Sequence, residues 1–80
     1  MASVTELNLP NIEDLIASEG TIEVGYQFPI GQIAVASDGH QALAMLRQQP
    51  DESLADVLVR LDEAIEEAVE HGQFADEING

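Results

Sequence analysis

Apolar positions along this chain shift from one period to another. Leu9, Ile12, Leu15 and Ile16 recur at three- and four-residue spacing, which predicts a short helix between Asn8 and Gly20. Asn8 or Asn11 can cap it, Glu13 and Asp14 suit the positive end of its dipole, and Gly20 can stop it. Such a helix is too short to stand alone and must dock. From Thr21 to Phe28 the period becomes two: Ile22, Val24, Tyr26 and Phe28 alternate with Glu23, Gly25 and Gln27, the pattern of a half-buried strand. Pro29-Ile30-Gly31 supplies turn chemistry. Alternation resumes from Gln32 to Ser37, with Ile33 and Val35 on one face, so a β-hairpin is expected.

Ser37-Asp38-Gly39 breaks this strand and can cap the next element. His40 to Gln49 reads as a short helix, with Ala42, Leu43, Met45 and Leu46 toward a core, ended by Pro50 because the residue before proline avoids the helical region. A long helix then starts at Asp51 or Ser53. Ser53-Leu54-Ala55-Asp56 has capping-box spacing, in which a hydroxyl and a carboxylate satisfy exposed N–H groups. Leu54, Val57, Leu58, Leu61, Ala64, Ile65 and Ala68 form its apolar stripe, and Gly72 ends it. Residues 1–8 read as a loose lead-in and residues 73–80 as an acidic tail on a single domain spanning 1–80.

Charge changes the picture most. The chain has 16 acids against two basic residues, both Arg, for a formal charge of −14. Such a surface repels phosphate and attracts cationic partners. Asp62/Glu66, Glu63/Glu67 and Glu66/Glu70 are like-charge pairs one turn apart on the long helix, each costing ~0.2–0.5 kcal/mol. Arg60, near Asp56 and Glu63, gives the only local relief. A basic partner would supply the rest. With 80 residues, no Cys and only Tyr26, Phe28 and Phe74 as aromatics, the core is modest and unstapled, which favours a dimer. No run approaches the ~20 apolar residues of a membrane span, and the N-terminus lacks the basic and apolar regions of a signal peptide. The absence of Cys fits the cytoplasm.

Gln32-Ile33-Ala34-Val35-Ala36-Ser37, then His40 to Gln49, then Asp51 to Leu61 resembles a ribbon-helix-helix unit of the Arc and MetJ type, over about residues 32–70. With the elements before it, the chain reads as an α+β fold: a short N-terminal helix, a β-hairpin whose first strand, Thr21 to Phe28, exceeds the minimal family pattern, and then two helices. The resemblance implies an intertwined homodimer in which two strands pair across a two-fold axis. Its dimer core would draw on Ile33, Val35, Leu43, Leu46, Leu54, Val57, Leu58, Leu61 and Ile65. Members of that family are often repressors or the antitoxin halves of toxin–antitoxin pairs. For a repressor, the strand positions facing DNA would be Gln32, Ala34 and Ala36, with Gln32 suited to adenine and the alanines to thymine methyls. No Arg or Lys accompanies them. Glu52-Ser53-Leu54 is also similar to the site at which acyl carrier proteins attach phosphopantetheine, which would make Ser53 a modified residue.

Catalytic patterns are thin. His40 beside Asp38 lacks a nucleophile, and Glu67 with His71, even with Glu63 or Glu70, makes a sparse ligand set. Neither a cofactor, a metal nor an enzymatic activity is expected. The chain reads as an acidic protein-binding module, antitoxin-like or regulatory, that pairs with itself and with a basic protein such as a toxin. The residues expected to hold that partner are Asp62, Glu63, Glu66, Glu67 and Glu70 on the helix, and Phe74, Asp76, Glu77 and Ile78 on the tail.

Overall fold

A computed structural model describes residues 8–79. The lead-in expected over residues 1–8 lies outside it except for Asn8. The element order is α1 (Pro10–Ala17), β1 (Thr21–Gln27), β2 (Gly31–Ser37), β3 (Ala42–Arg47), α2 (Leu54–His71) and β4 (Ala75–Asp76). The four strands make one sheet in the order β1-β2-β3-β4, antiparallel except for the parallel β3–β4 pair. Both helices pack on the same side of the sheet: α2 over β2 and β3, and α1 against α2 and β1. No helix among the described residues is long and apolar enough to cross a membrane.

The first helix, the hairpin and the long helix form where the periods place them. α2 starts with a complete capping box: Ser53 Oγ accepts from the Asp56 amide at 3.1 Å, and Asp56 Oδ2 accepts from the Ser53 amide at 3.2 Å. It ends at Gly72, whose φ of 67° is the left-handed conformation that a residue without a Cβ adopts freely. Val57, Leu61, Ile65 and Ala68 bury one stripe against Ala34, Ala36, Ala44 and Leu46 of the sheet, with Ile12 and Leu15 of α1 closing the cluster. Leu61 and Val57 are the largest side chains fully removed from water. Truncating such a leucine to alanine costs ~2–5 kcal/mol, a large share of the stability of a domain this small.

The expected hairpin followed by two helices is corrected at His40–Gln49. This segment carries strand β3, whose Ala44 and Leu46 pair with Ala36 and Ala34. Ala, Leu, Met and Arg are strong helix formers, and their local preference is overridden by pairing with β2 on one side and β4 on the other. Asp38 still breaks the strand, but it caps a hairpin turn: its Oδ1 accepts from the His40 and Gln41 amides at 2.8 and 2.9 Å. A register shift beside Ser37 leaves both Leu43 and Ala44 in the helix-side core.

Strand β2 also presents the opposite face. Ala34 and Ala36, expected to face DNA, are fully buried beneath α2. Their small side chains let the helix lie close to the sheet. Ile33 and Val35 alternate onto the other face, Ile33 buried and Val35 half-buried, and neither joins the helix-side cluster. β2 is an interior strand, so it cannot pair with β2 of a second copy in the ribbon manner. The other residues expected in a dimer core divide. Leu43, Leu46, Val57, Leu61 and Ile65 form the core of one chain, Leu58 is half-buried, and Leu54 is exposed. Ser53, the residue that the carrier resemblance would make a modified one, is the N-terminal cap of α2.

Candidate acidic docking site

The C-terminal half of α2 exposes Glu63, Glu66, Glu67 and Glu70, and its neighbours shape it into two open grooves. On the tail side, Leu46, Ala64, Phe74 and Ala75 line a groove of about 580 Å³ together with Glu63, Glu66, Glu67 and Glu77. On the α1 side, Leu15, Leu43, Ile65, Ala68, Val69 and Phe74 line a second, of about 480 Å³, bordered by Asp14, Asp38 and Glu70. Phe74, 51 % exposed, belongs to both and forms the ridge between them.

The tail holds this shape. Ala75 and Asp76 pair with Ala44 and Met45 of β3, and the Glu77 amide donates to the Met45 carbonyl at 2.7 Å. Arg60 then clamps three segments. Its Nε donates to Glu52 Oε2 at 2.7 Å, its Nη1 to Glu77 Oε2 at 2.6 Å, and its Nη2 to the Arg47 carbonyl at 3.0 Å. The Arg47 amide donates to Glu77 Oε1 at 3.0 Å. Arg60 is therefore stabilised in its charged form, first by Glu52 and then by Glu77. Burial would raise the Glu77 carboxyl, but the Arg60 guanidinium and the Arg47 amide together hold it below the usual carboxylate range. Glu52 is likewise lowered, chiefly by Arg60 and then by the Gln49 amide.

The expected partner residues separate into three groups. Glu63, Glu66, Glu67 and Glu70 stay exposed along the grooves, and Phe74 joins them. Glu77 lines the tail groove but is spent in the Arg60 clamp; Asp76 accepts from the Ile78 and Asn79 amides, which lower its pKa (Asn79 most), and Ile78 is half-buried. The acidic tail is thus docked on the sheet along β3. Asp62 is corrected outright: it is 6 % exposed, with Oδ1 accepting from the Ile12 amide at 2.9 Å and Oδ2 from Asn11 Nδ2 at 3.0 Å. It serves as the N-terminal cap of α1, which has no side-chain cap of its own.

Asp14, Asp38, Leu15 and Leu43 escape sequence reasoning as lining residues, because only the fold brings α1 and the β2–β3 turn beside α2. The Asp38 carboxyl is held below its ordinary value by the His40 amide first and the Gln41 amide second. Among the described residues, no group of three or more metal-ligating side chains converges, at Glu67/His71 or elsewhere. No nucleophile is placed beside His40 by any hydrogen bond among them. Comparison with family models, with curated proteins and with solved structures finds no match to this chain.

Proposed function

We propose that this chain is a non-enzymatic binding module that receives a basic protein on the two grooves flanking Phe74, as an antitoxin-like or regulatory partner acting in the cytoplasm. One observation carries the reading. Both grooves have apolar floors and acidic rims, and among the described residues the only cation lining either one, Arg60, is already engaged by Glu52 and Glu77.

That arrangement suits Lys and Arg side chains. Their aliphatic stems can lie on Leu46, Ala64 or Val69 while the charged ends reach Glu63, Glu67 or Glu70. The Phe74 ring offers its face to a guanidinium between the two channels. The like-charge pairs of α2 then change sign: each glutamate that repels its neighbour in the free protein gains a counter-ion in the complex. The net charge of −14 adds steering, so the association rate falls as salt rises.

The test compares two fourfold Glu/Asp→Gln/Asn variants of equal charge. One neutralises Glu63, Glu66, Glu67 and Glu70 at the grooves; the other neutralises Glu13, Glu19, Glu23 and Asp51, all exposed elsewhere. Binding of an amphipathic peptide rich in Arg and Leu is measured at physiological salt. The groove variant is expected to lose more than ~10-fold in affinity and the control less than ~3-fold, because four nearby counter-ions are lost in one case and only a screened field in the other. Equal losses would reduce the effect to net charge and remove the site.

A further inference from the structure

Strand β1 closes one edge of the sheet and leaves it open. β1 is the first strand in the order β1-β2-β3-β4, so one side of its backbone, from Thr21 to Gln27, has no partner strand among the described residues. Natural edge strands are usually kept short, bulged, proline-bearing or charged to prevent pairing. β1 has seven residues, pairs with β2 without a register shift, and contains no proline. Its side chains are also uncovered: Val24 is 43 % exposed, Tyr26 70 %, and Phe28 just beyond it 81 %. Between Glu19 and Asp38, Glu23 is the only charged residue. The open edge of a −14 chain therefore carries a single acid, Glu23.

We propose that two copies of this chain pair through β1, antiparallel about a two-fold axis at Val24, to form one continuous eight-stranded sheet. The sequence of the strand selects this register. Side chains opposite each other must share a face, and centring on Val24 is the only such register that pairs all seven residues. It sets Thr21 against Gln27, Ile22 against Tyr26 and Glu23 against Gly25 of the second copy. The aromatic–β-branched pair is favourable. Glu23 meets a glycine whose Cβ position has nothing within 4 Å, so the carboxylate has room and no opposing charge. Centring on Glu23 would instead set two carboxylates face to face.

The long acidic helix stands back from the pairing edge, while α1, which carries Glu13 and Asp14, packs against β1 itself. α2 lies over β2 and β3, which stand three and five strand spacings from their mates, roughly 14 and 24 Å. Those separations are about two and three Debye lengths at physiological ionic strength. The docking grooves stay on the outer flanks, so a dimer offers two of them.

The experiment uses the full chain at about 100 µM. Mass from light scattering should be twice 8.6 kDa. Val24→Cys should link to itself under mild oxidation, since paired Cα atoms ~4.5–5.5 Å apart suit a disulfide, and the chain has no other Cys. Thr21→Cys should not, because this register holds the two copies of residue 21 roughly 20 Å apart. Val24→Glu should weaken dimerisation more than ~10-fold by opposing like charges, with circular dichroism confirming its fold. A mass of 8.6 kDa at this concentration leaves the edge to a strand of another protein and overturns the pairing. So does equal linking by both cysteine variants, or a folded Val24→Glu chain that remains dimeric.

Discussion

Asp62 offers the sharpest contrast between charge patterning and structure. Read along the helix, Asp62 stands one turn before Glu66, so neutralising it should stabilise the chain by ~0.2–0.5 kcal/mol. In the fold, its carboxylate is buried and holds the third residue of α1 through the Ile12 amide. Asp62→Ala deletes hydrogen bonds to an ionised acceptor, worth ~1.5–3 kcal/mol, and leaves a buried N–H without a partner. It also removes a negative charge from the positive end of α1, worth up to ~1 kcal/mol. The net expectation is a loss of about 2 kcal/mol, or roughly 10 °C in melting temperature for a domain of this size. Asp62→Asn keeps one acceptor oxygen and should lose about half as much. Urea unfolding followed by circular dichroism measures both. An Asp62→Ala chain as stable as the parent, or more so, would refute the assignment of Asp62 as the cap of α1.

Arg60→Gln should release the tail at neutral pH, seen as lost exchange protection of the Glu77 amide that donates to Met45. In the parent, Glu77 and Glu52 are depressed below the ordinary glutamate value, so the clamp's contribution is complete above that value and is lost as pH falls through their lower, folded values. Protection of the Glu77 amide that stays unchanged as pH falls far below the ordinary glutamate value would contradict the clamp. At the end of α1, Glu19 sits at φ 70°, a left-handed conformation costly for a side-chain-bearing residue, so Glu19→Gly should stabilise by ~1 kcal/mol. Gly20→Ala should do the reverse, because its Cβ would lie 2.6 Å from Leu15 Cδ1 and 2.8 Å from the Ser37 carbonyl. Thermal melts of the two single variants that move in the same direction would contradict this account of the turn.

What local sequence specifies, it specifies well. Ser53, Asp56 and Gly72 mark the ends of α2, and Val57, Leu61, Ile65 and Ala68 mark its buried stripe, because caps and periodicity act within a few residues. The β1–β2 hairpin is legible for the same reason. The failures lie where distant partners decide. Ala42–Arg47 has helical composition and becomes a strand because β2 and β4 flank it. Ala34 and Ala36 look like surface residues until α2 is laid over them, where small side chains are what fits. Ala75–Asp76 is too short to register as a strand, and Asp62 is indistinguishable from its acidic neighbours until α1 docks on it. Of the docking surface, the glutamates and Phe74 are legible as residues, while the apolar floors, drawn from α1, β3 and the tail, are not.

In the proposed reading the acids act through shaped grooves and not through charge alone. Amide chemical-shift mapping with an Arg- and Leu-rich peptide tests it most directly. Saturable shifts are expected at Glu63, Glu67, Val69, Glu70, Phe74 and Ala75, with Glu13, Glu23 and Asp51 nearly unmoved. Small shifts spread evenly over every acidic residue, without saturation, would contradict it.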